Sequence, residues 1–412
     1  MPPTNFLLAV LSIALLSAGA SAQSPTPGPT TKPPLRIDAA NYASLQAALD
    51  ALPESGGIVH IPPGNYELTQ PLVVKTGETR LQGSGASTHL INKNTEAKPA
   101  LVVRPATLDK DPKARLWRVQ IDNLRISGNP KSGDGIAAEK VQEIFLQGVS
   151  VDHHGGHGIN LVDCFEDPRV SDSILTYNAA TGLNIVNCHD IVVNGNHFEE
   201  NQDALRCVDS FNLCMNGNNI DDHLRHGVVI ENTYGSVVSG NMIEECNGTA
   251  VILDRDCYGI TLSANVIAHH LEGGIDLRDA SGCAVSANTF TIAHRFSLRI
   301  GKESGRITVS ANNFCNTYIG GGANKRPAEA KTPMGIDEGT GIWLEDTSAV
   351  AISGNSFSGL STAAVWTVGA CQRILVSNNV VTECGRKLSA DAPVLDLKNA
   401  TNSLSNGNLE GR

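Results

Sequence analysis

Several things are scarce in this 412-residue chain, and each shortage narrows what it can be. Aromatic residues make up 4% of it and methionine occurs 4 times, against 40 glycines, a composition suited to thin repeated units. No basic run occurs and the net charge is −11, which argues against nucleic acid as a partner. An anionic polymer is not thereby excluded, because a groove can carry its own arginines. Beyond the first residues no stretch is long and apolar enough to span a membrane. The 10 cysteines, all beyond residue 163, include no Cys-x-x-Cys pair, so they do not point to a metal or redox centre. Helical periodicity is missing too, apart from Tyr42 to Leu52, where Leu45, Ala48, Leu49 and Leu52 share a face.

What is present is a recurring phrase. It reads Val-Asn-Gly-Asn196-His-Phe, then Met-Asn-Gly-Asn218, Val-Ser-Gly-Asn241, Leu-Ser-Ala-Asn265, Val-Ser-Ala-Asn288, Val-Ser-Ala-Asn312, Ile-Ser-Gly-Asn355 and Val-Ser-Asn-Asn379. The asparagines lie 22 to 24 residues apart except for one gap of 43. A fixed period in this range signals a solenoid, whose coils bury their apolar faces only by stacking on neighbours. Within each unit, short alternating runs such as Gly182-Leu-Asn-Ile-Val are separated by Gly/Asn turns, so each coil is made of strands. At one corner of every coil the asparagine amides can bond along the axis as a ladder. Leu124, Val149 and Ser173 stand where later coils carry the Asn, which predicts about eleven or twelve coils, on the order of 55 Å of axis at the strand spacing.

With this repeat the chain resembles the right-handed parallel β-helix, pectate-lyase-like superfamily, over Leu35 to Arg412. The segment Gly-Gly-Ile-Val-His-Ile-Pro-Pro-Gly-Asn-Tyr after the helix is similar to the opening of many secreted β-helix polysaccharide enzymes. The resemblance implies an all-β single solenoid. It leaves the reaction open, since the superfamily includes lyases, glycosidases, epimerases, tailspikes and proteins without known catalysis.

The domain reading follows. Residues 1–22 form a secretory signal peptide, with an apolar core from Phe6 to Leu16 and a small-residue cleavage site at Ala20-Ser21-Ala22, though no positive leader precedes it. Residues 23–34 are a Pro/Thr-rich linker, and residues 35–412 the β-helix. The helix at Tyr42 to Leu52 caps the first coil, Ala97 to Trp117 contains a loop, Tyr318 to Gly339 leaves one corner as a loop, and Cys384 to Arg412 closes the far end. A monomer, exported to the periplasm or beyond, is expected. Cys164 and Cys188 fall at equivalent coil positions, and a stacked column of small buried side chains is favoured there over a disulfide.

Aligning the coils aligns their faces. Period-two alternation turns Asn160, Asn184, Arg206, Val229, Ile252, Asp276, Arg299, Trp343 and Trp366 outward along one line. Two of the chain's 3 tryptophans on one exposed line point to stacking on sugar rings. The column just before this line runs through Asp134, His157, Thr181, Asp203, His226, Thr249 and Gly273. The candidate catalytic set is Asp203, Arg206, His226 and Arg299. The candidate substrate-binding set is His157, Asn160, Asn184, Asp276, Trp343 and Trp366, with no resident metal assigned.

The polygalacturonase motifs, Asn-Thr-Asp, Asp-Asp, His-Gly and Arg-Ile-Lys on successive coils, are only partly matched. Gln202-Asp203 stands where Asp-Asp would, and His226-Gly227 follows one coil later. Thr181-Gly182 lacks the third carboxylate, and Arg299-Ile300-Gly301 comes late without its lysine. Mannuronan epimerases carry Asp-Pro-His-Asp, of which Asp152-His153-His154 is a fragment. These residues permit proton abstraction beside a sugar carboxylate. Arg206 or Arg299 would neutralise the carboxylate, and His226, oriented by Asp203, would be the base that takes the proton. Calcium held by Asp203, Asp276 or Asp254 is the alternative neutraliser. The expected function is a carbohydrate-active enzyme on a linear, uronate-containing polysaccharide; the competing class is a non-catalytic glycan-binding or envelope-structural β-helix.

Overall fold

A computed structural model describes residues 35–315 and 340–411, so the signal peptide, the linker and the Tyr318 to Gly339 loop lie outside the described residues. Short alternating strands separated by turns can bury one face only against themselves, and they do so by stacking coil on coil. Strand pairings are parallel, as between Leu183–Val186 and Leu205–Val208. Thirteen strands, from Leu72–Val74 to Leu395–Asp396, stack into one sheet, and the other faces of the coils merge into a thirty-stranded sheet. The thirteen rungs exceed the regular repeats because the irregular N-terminal coils and the last segment also contribute. Three of the few aromatics serve the core: Phe290, Phe314 and Phe357 stack in register at 4.7 and 4.8 Å, all fully buried.

The asparagine ladder is continuous. In the coil of Asn265 the side-chain Oδ1 accepts from Asn241 N at 3.0 Å and Asn241 Nδ2 at 2.9 Å. Its Nδ2 donates to Val238 O and to Asn288 Oδ1, each at 3.0 Å. Ser173 Oγ carries the line back to Val149 N. The residue before each asparagine is left-handed: Gly195, Gly217 and Gly240 adopt this at no steric cost, whereas Ala264, Ala287 and Ala311 adopt φ of 54, 55 and 55° against their Cβ.

A second inner column runs through His154, Asn178, Asn201, His223, Cys246 and His270, all fully buried. Asn178 Oδ1 accepts from His154 N, and Asn201 Oδ1 accepts from Asn178 N. His270 does the same with its ring: Nδ1 accepts from Cys246 N at 3.3 Å and Nε2 donates to Ile243 O at 3.1 Å. His223 Nδ1 donates to Asn201 O.

The capping helix is shorter than its periodicity predicts, Leu45–Asp50: Ser44 caps its start by accepting from Ala47 N, and Ala51 closes its end. Gln46 ties it to the first strand of the thirteen, accepting from Val73 N at 2.8 Å and donating to Val73 O. The C-terminal segment is more than a cap. Asn-Gly-Asn408 repeats the phrase, and Asn408 Oδ1 accepts from Asn379 N and Nδ2, so a further rung is laid there. The 10 cysteines are free, and eight are buried. Cys188, Ser210, Thr233 and Cys257 share one corner, where Cys188 Sγ donates to Leu161 O and Cys257 Sγ to Ile230 O. Burial pushes the Cys257 thiol up to about 12.

Candidate functional site

The alternation that places apolar residues inward fixes the outward line, and the register follows it. Asn160 pairs with Asn184, then Arg206, Val229, Ile252, Asp276, Arg299, Trp343 and Trp366 in succession. The middle of the line is not open: Val229 and Ile252 are 6% and 2% exposed. At one end Asn184 Nδ2 donates to Asn160 Oδ1 at 3.0 Å, and Asn160 Nδ2 to Asp134 Oδ2 at 3.1 Å. Arg206 pairs with Glu231 on the next coil.

The neighbouring column is a third ladder, this time from side chain to backbone. Asp134 Oδ1 accepts from His157 N at 2.8 Å, and His157 Nδ1 accepts from Thr181 N at 3.2 Å. Asp203 Oδ1 accepts from His226 N, and His226 Nδ1 from Thr249 N, both at 3.0 Å. An imidazole that accepts at Nδ1 carries its proton on Nε2, so both rings are donors at Nε2 when neutral. Burial lowers the pKa of each, against the opposing pull of Asp134 on His157 and Asp203 on His226. Gly156 and Gly248 are needed there, since a Cβ would overlap Asp134 Oδ1 and His226 Nδ1. Asp203 itself has no exposed surface. Arg225 holds it in a two-pronged pair, with Nε donating at 2.8 Å, so Asp203 positions Arg225 and the His226 backbone.

The concave part of the line lies three coils beyond Asp203. A cavity of about 300 Å³ is lined by Thr249, Glu272, Asp276, Arg278, Arg295, Phe296, Arg299, Trp343 and Glu345. Asp276 accepts from Arg278 Nε at 2.8 Å and Arg299 Nη1 at 3.1 Å, and Arg299 Nε donates to Glu345 Oε2 at 3.1 Å. Burial acts to lower the Arg299 pKa, but Glu345 and Asp276 outweigh it and raise it, so the guanidinium stays charged. That guanidinium lies 5.4 Å from the centre of the Trp343 ring, which stacks on Trp366 at 6.0 Å. His226 borders this cavity through Thr249 and feels the charges of Glu272 and Arg278. A second depression, about 340 Å³, opens at Val102, Arg104, Ala137, Glu139 and Asn160.

The structure thus gathers Asp276, Arg299, Trp343 and Trp366 into one cluster with His226 at its border. Asp203 and Arg206 form ion pairs beside it, and His157, Asn160 and Asn184 lie toward the other end. Sequence reasoning placed Arg225 among the polar coil corners without a role and passed over Glu231, Glu272, Arg278 and Glu345. Glu231 and Glu345 stand two residues beyond Val229 and Trp343, so the same outward parity would have found them. The carboxylates considered for calcium each face an arginine: Asp203 meets Arg225, Asp276 meets Arg278 and Arg299, and Asp254 meets Arg278. Donor atoms of Glu244, Glu245 and His269, and of Asp221, Asp222 and Glu245, lie within 4.8 Å of one another at a different corner. No helix among the described residues is long and apolar enough to cross a membrane.

Residues 113–220 match the family described as right handed beta helix region, and residues 169–330 match the family described as periplasmic copper-binding protein (NosD). No curated protein matches the chain in sequence. Among solved structures, the catalytic unit of a thermostable alpha-1,3-glucanase from Streptomyces thermodiastaticus is similar over 92% of this chain and 71% of its own, at 13% identity and a TM-score of 0.58. DFA-IIIase from Arthrobacter chlorophenolicus is similar over 86% and 96%, at 16% identity and 0.53. A mutant of the periplasmic alginate epimerase AlgG is similar over 91% and 84%, at 10% identity and 0.52. These likenesses give the fold: the chain is a right-handed parallel β-helix.

Proposed function

We propose that the outward line from Asn160 to Trp366 binds a linear polysaccharide along the helix axis, and that its chemistry centres on the cavity between His226 and Trp343. The observation that carries this reading is the cavity wall, where Arg278, Arg295 and Arg299 meet Trp343, with Trp366 stacked behind it. Guanidinium groups pair with a sugar carboxylate, and indole faces stack on sugar rings. The two depressions lie five coil steps apart, from Asn160 to Asp276, or about 24 Å at the strand spacing, which several sugar units would span. The names of the structural neighbours, a glucanase and an alginate epimerase among them, support a carbohydrate-active chain without specifying its reaction.

On a uronate, Arg299 would stabilise the charge that develops when the proton beside the carboxylate is removed. His226 would offer its Nε2 proton to the departing oxygen, giving a lyase, or to the opposite face of the carbanion, giving an epimerase. Glu272, an exposed carboxylate on the cavity wall, is the proton acceptor in either case. Asp203 and Arg206 position this end of the site through Arg225 and Glu231. One observation favours glycan binding without turnover: Asp203 and Asp276 are both held in arginine pairs rather than free as acid or base. The copper named in the matching family does not fit well here. Most cysteines of the matched stretch, and Met215, are buried in the core, while Glu244, Glu245 and His269 offer one imidazole and two carboxylates, which suit a harder divalent ion. Export, with residues 1–22 removed and 23–34 as a spacer, belongs to the same proposal, and two of the matching proteins are described as periplasmic.

The test is incubation of the purified chain with alginate, polygalacturonate and neutral glucans. Ultraviolet absorbance of an unsaturated uronate signals a lyase, and new reducing ends without it a hydrolase. A changed uronate ratio signals an epimerase, and retention without product the binding reading. Turnover of a polyuronate that His226→Ala and Arg299→Ala leave untouched, with folding unchanged, would overturn the site assignment.

A further inference from the structure

A second surface, one corner away from the groove, has a different composition. Five successive coils carry an aromatic ring or imidazole at one outward position: Phe165, His189, Phe211, Tyr234 and Tyr258. The backbones of the last four pair in register from coil to coil. Ring centres lie 4.8 Å apart from Phe165 to His189, 4.5 Å from His189 to Phe211 and 5.3 Å from Phe211 to Tyr234, the first two pairs edge to face at 82° and 78° and the third tilted at 37°, so successive rings offer alternating faces and edges. The residue before each of the last four rings, Cys188, Ser210, Thr233 or Cys257, is fully buried, so alternation turns the ring outward. Phe211 is 36% and Tyr258 57% exposed. In a chain so poor in aromatics, five rungs on one outward line form a platform that no buried core requires.

Its margins are polar. The rings are bracketed by left-handed corner residues, Asn187 and Asp190 around His189 and Asp209 and Asn212 around Phe211. These amides and carboxylates bond along the axis, Asn187 Nδ2 to Asp163 Oδ1 at 2.6 Å, Asn212 Nδ2 to Asp190 Oδ1 at 2.8 Å and Asn232 Nδ2 to Asp209 Oδ1 at 2.8 Å. Each carbonyl, carboxylate and amide keeps unused hydrogen-bonding capacity toward solvent. A ring for the C–H face of a pyranose, with planar Asn and Asp groups beside it for the hydroxyls, recurs at close to the length of one sugar in an extended chain. Two of the three marginal carboxylates are paired, Asp163 with Lys140 and Asp209 with Arg255, so charge along the margins is largely balanced, which suits a neutral chain better than a polyuronate.

We infer that the ladder from Phe165 to Tyr258 is a second glycan-binding surface, which takes a linear chain of neutral pyranose units along the helix axis. The inference rests on the reading of this chain as glycan-binding but not on the uronate chemistry of the groove. The groove and the ladder therefore hold chemically distinct polymers, or distinct segments of one.

Affinity electrophoresis in gels containing a soluble neutral glucan, and separately polygalacturonate, tests it. Phe211→Ser combined with Tyr258→Ser should weaken retention by the neutral glucan about tenfold or more, the scale of one or two lost stacking contacts. Retention by polygalacturonate should stay as in the wild type, while Arg299→Ala should do the reverse. Tyr258→Phe keeps the ring and should keep neutral-glucan binding, and Tyr258→Ser alone, at the exposed end of the stack, guards against misfolding of the double variant. Equal neutral-glucan retention by the wild type and the Ser variants would overturn the inference alone, as would a wild type held by polygalacturonate and by no neutral glucan. A wild type held by neither would overturn the groove reading as well. A concentration-dependent dimer that the Ser variants abolish would give the platform to a second copy and overturn the glycan assignment.

Discussion

The inner column of His154, His223 and His270 makes the fold sensitive to acid, and the effect can be sized. Burial holds the three imidazoles down to about 4, about 4 and about 3, against the weaker opposing pull of the carbonyls of Ile126, Asn201 and Ile243. In the unfolded chain each takes up a proton near pH 6.5. Between about pH 6.5 and about 4 the unfolded state therefore binds more protons than the folded one, and stability falls as pH falls. Each histidine contributes about 1.4 kcal/mol per pH unit, so from about pH 6.5 to about pH 5 the three together remove roughly 6 kcal/mol. His270 uses its ring as Asn201 uses its amide, one nitrogen accepting a backbone N–H and the other donating to a carbonyl. Replacing His270 by Asn keeps those partners, replacing His223 by Asn keeps a donor for Asn201 O, and together they remove two titrations. In the double variant the share from this column should then shrink to about 2 kcal/mol over the same interval, while the effects of His89, His157 and His226 stay the same in both chains. Urea unfolding followed by circular dichroism at several pH values would measure this through the midpoints and their slopes. If the wild type and the double variant lose stability in parallel, the histidines are not held neutral in the folded state and the reasoning fails.

Asn265→Ala strands Asn241 N–H and Val238 O in the core, so it should cost about 3 kcal/mol and speed hydrogen exchange at the Asn241 amide. Ala287→Gly should raise the melting temperature, because the exposed Ala287 sits at φ 55° and glycine relieves about 1 kcal/mol there; a lower melting temperature would contradict the left-handed corner. Arg225→Ala, although Arg225 is partly exposed, should cost about 3 kcal/mol because it leaves the buried Asp203 carboxylate unpaired. Adding Asp203→Asn should restore part of that loss in a chemical-denaturation series.

The outward line was legible in the sequence because two periods coincide: the alternation along a strand and the 22 to 24 residue step between coils. Every pairing from Asn160 to Trp366 follows from those two numbers. What lay beyond them was depth. Asp203 and His226 hold the same column, yet one is fully buried and the other half-exposed, because the Arg225 side chain folds over the carboxylate. Tautomers were equally invisible, since only the coil-to-coil contact with Thr249 N–H decides which nitrogen of His226 carries the proton. Asn408 was readable and passed over: its phrase is intact, but it comes 29 residues after Asn379, outside the regular spacing. The helix begins late for a local reason, the Ser44 N-cap, which periodicity does not register.

The wide gap in the ladder has a practical consequence. Asn312 N reaches Asn355 Oδ1 at 2.9 Å across 43 residues, and Asn288 N reaches Asn312 Oδ1 at the same 2.9 Å across 24. The axis does not register how much chain leaves the corner between two rungs. Lengthening such an excursion costs only the slowly growing entropy of closing it, about 0.6 kcal/mol for each doubling. Cys315 and Thr340 are therefore the ends for a graft: a foreign peptide spliced between them would join a scaffold whose register is already fixed on both sides.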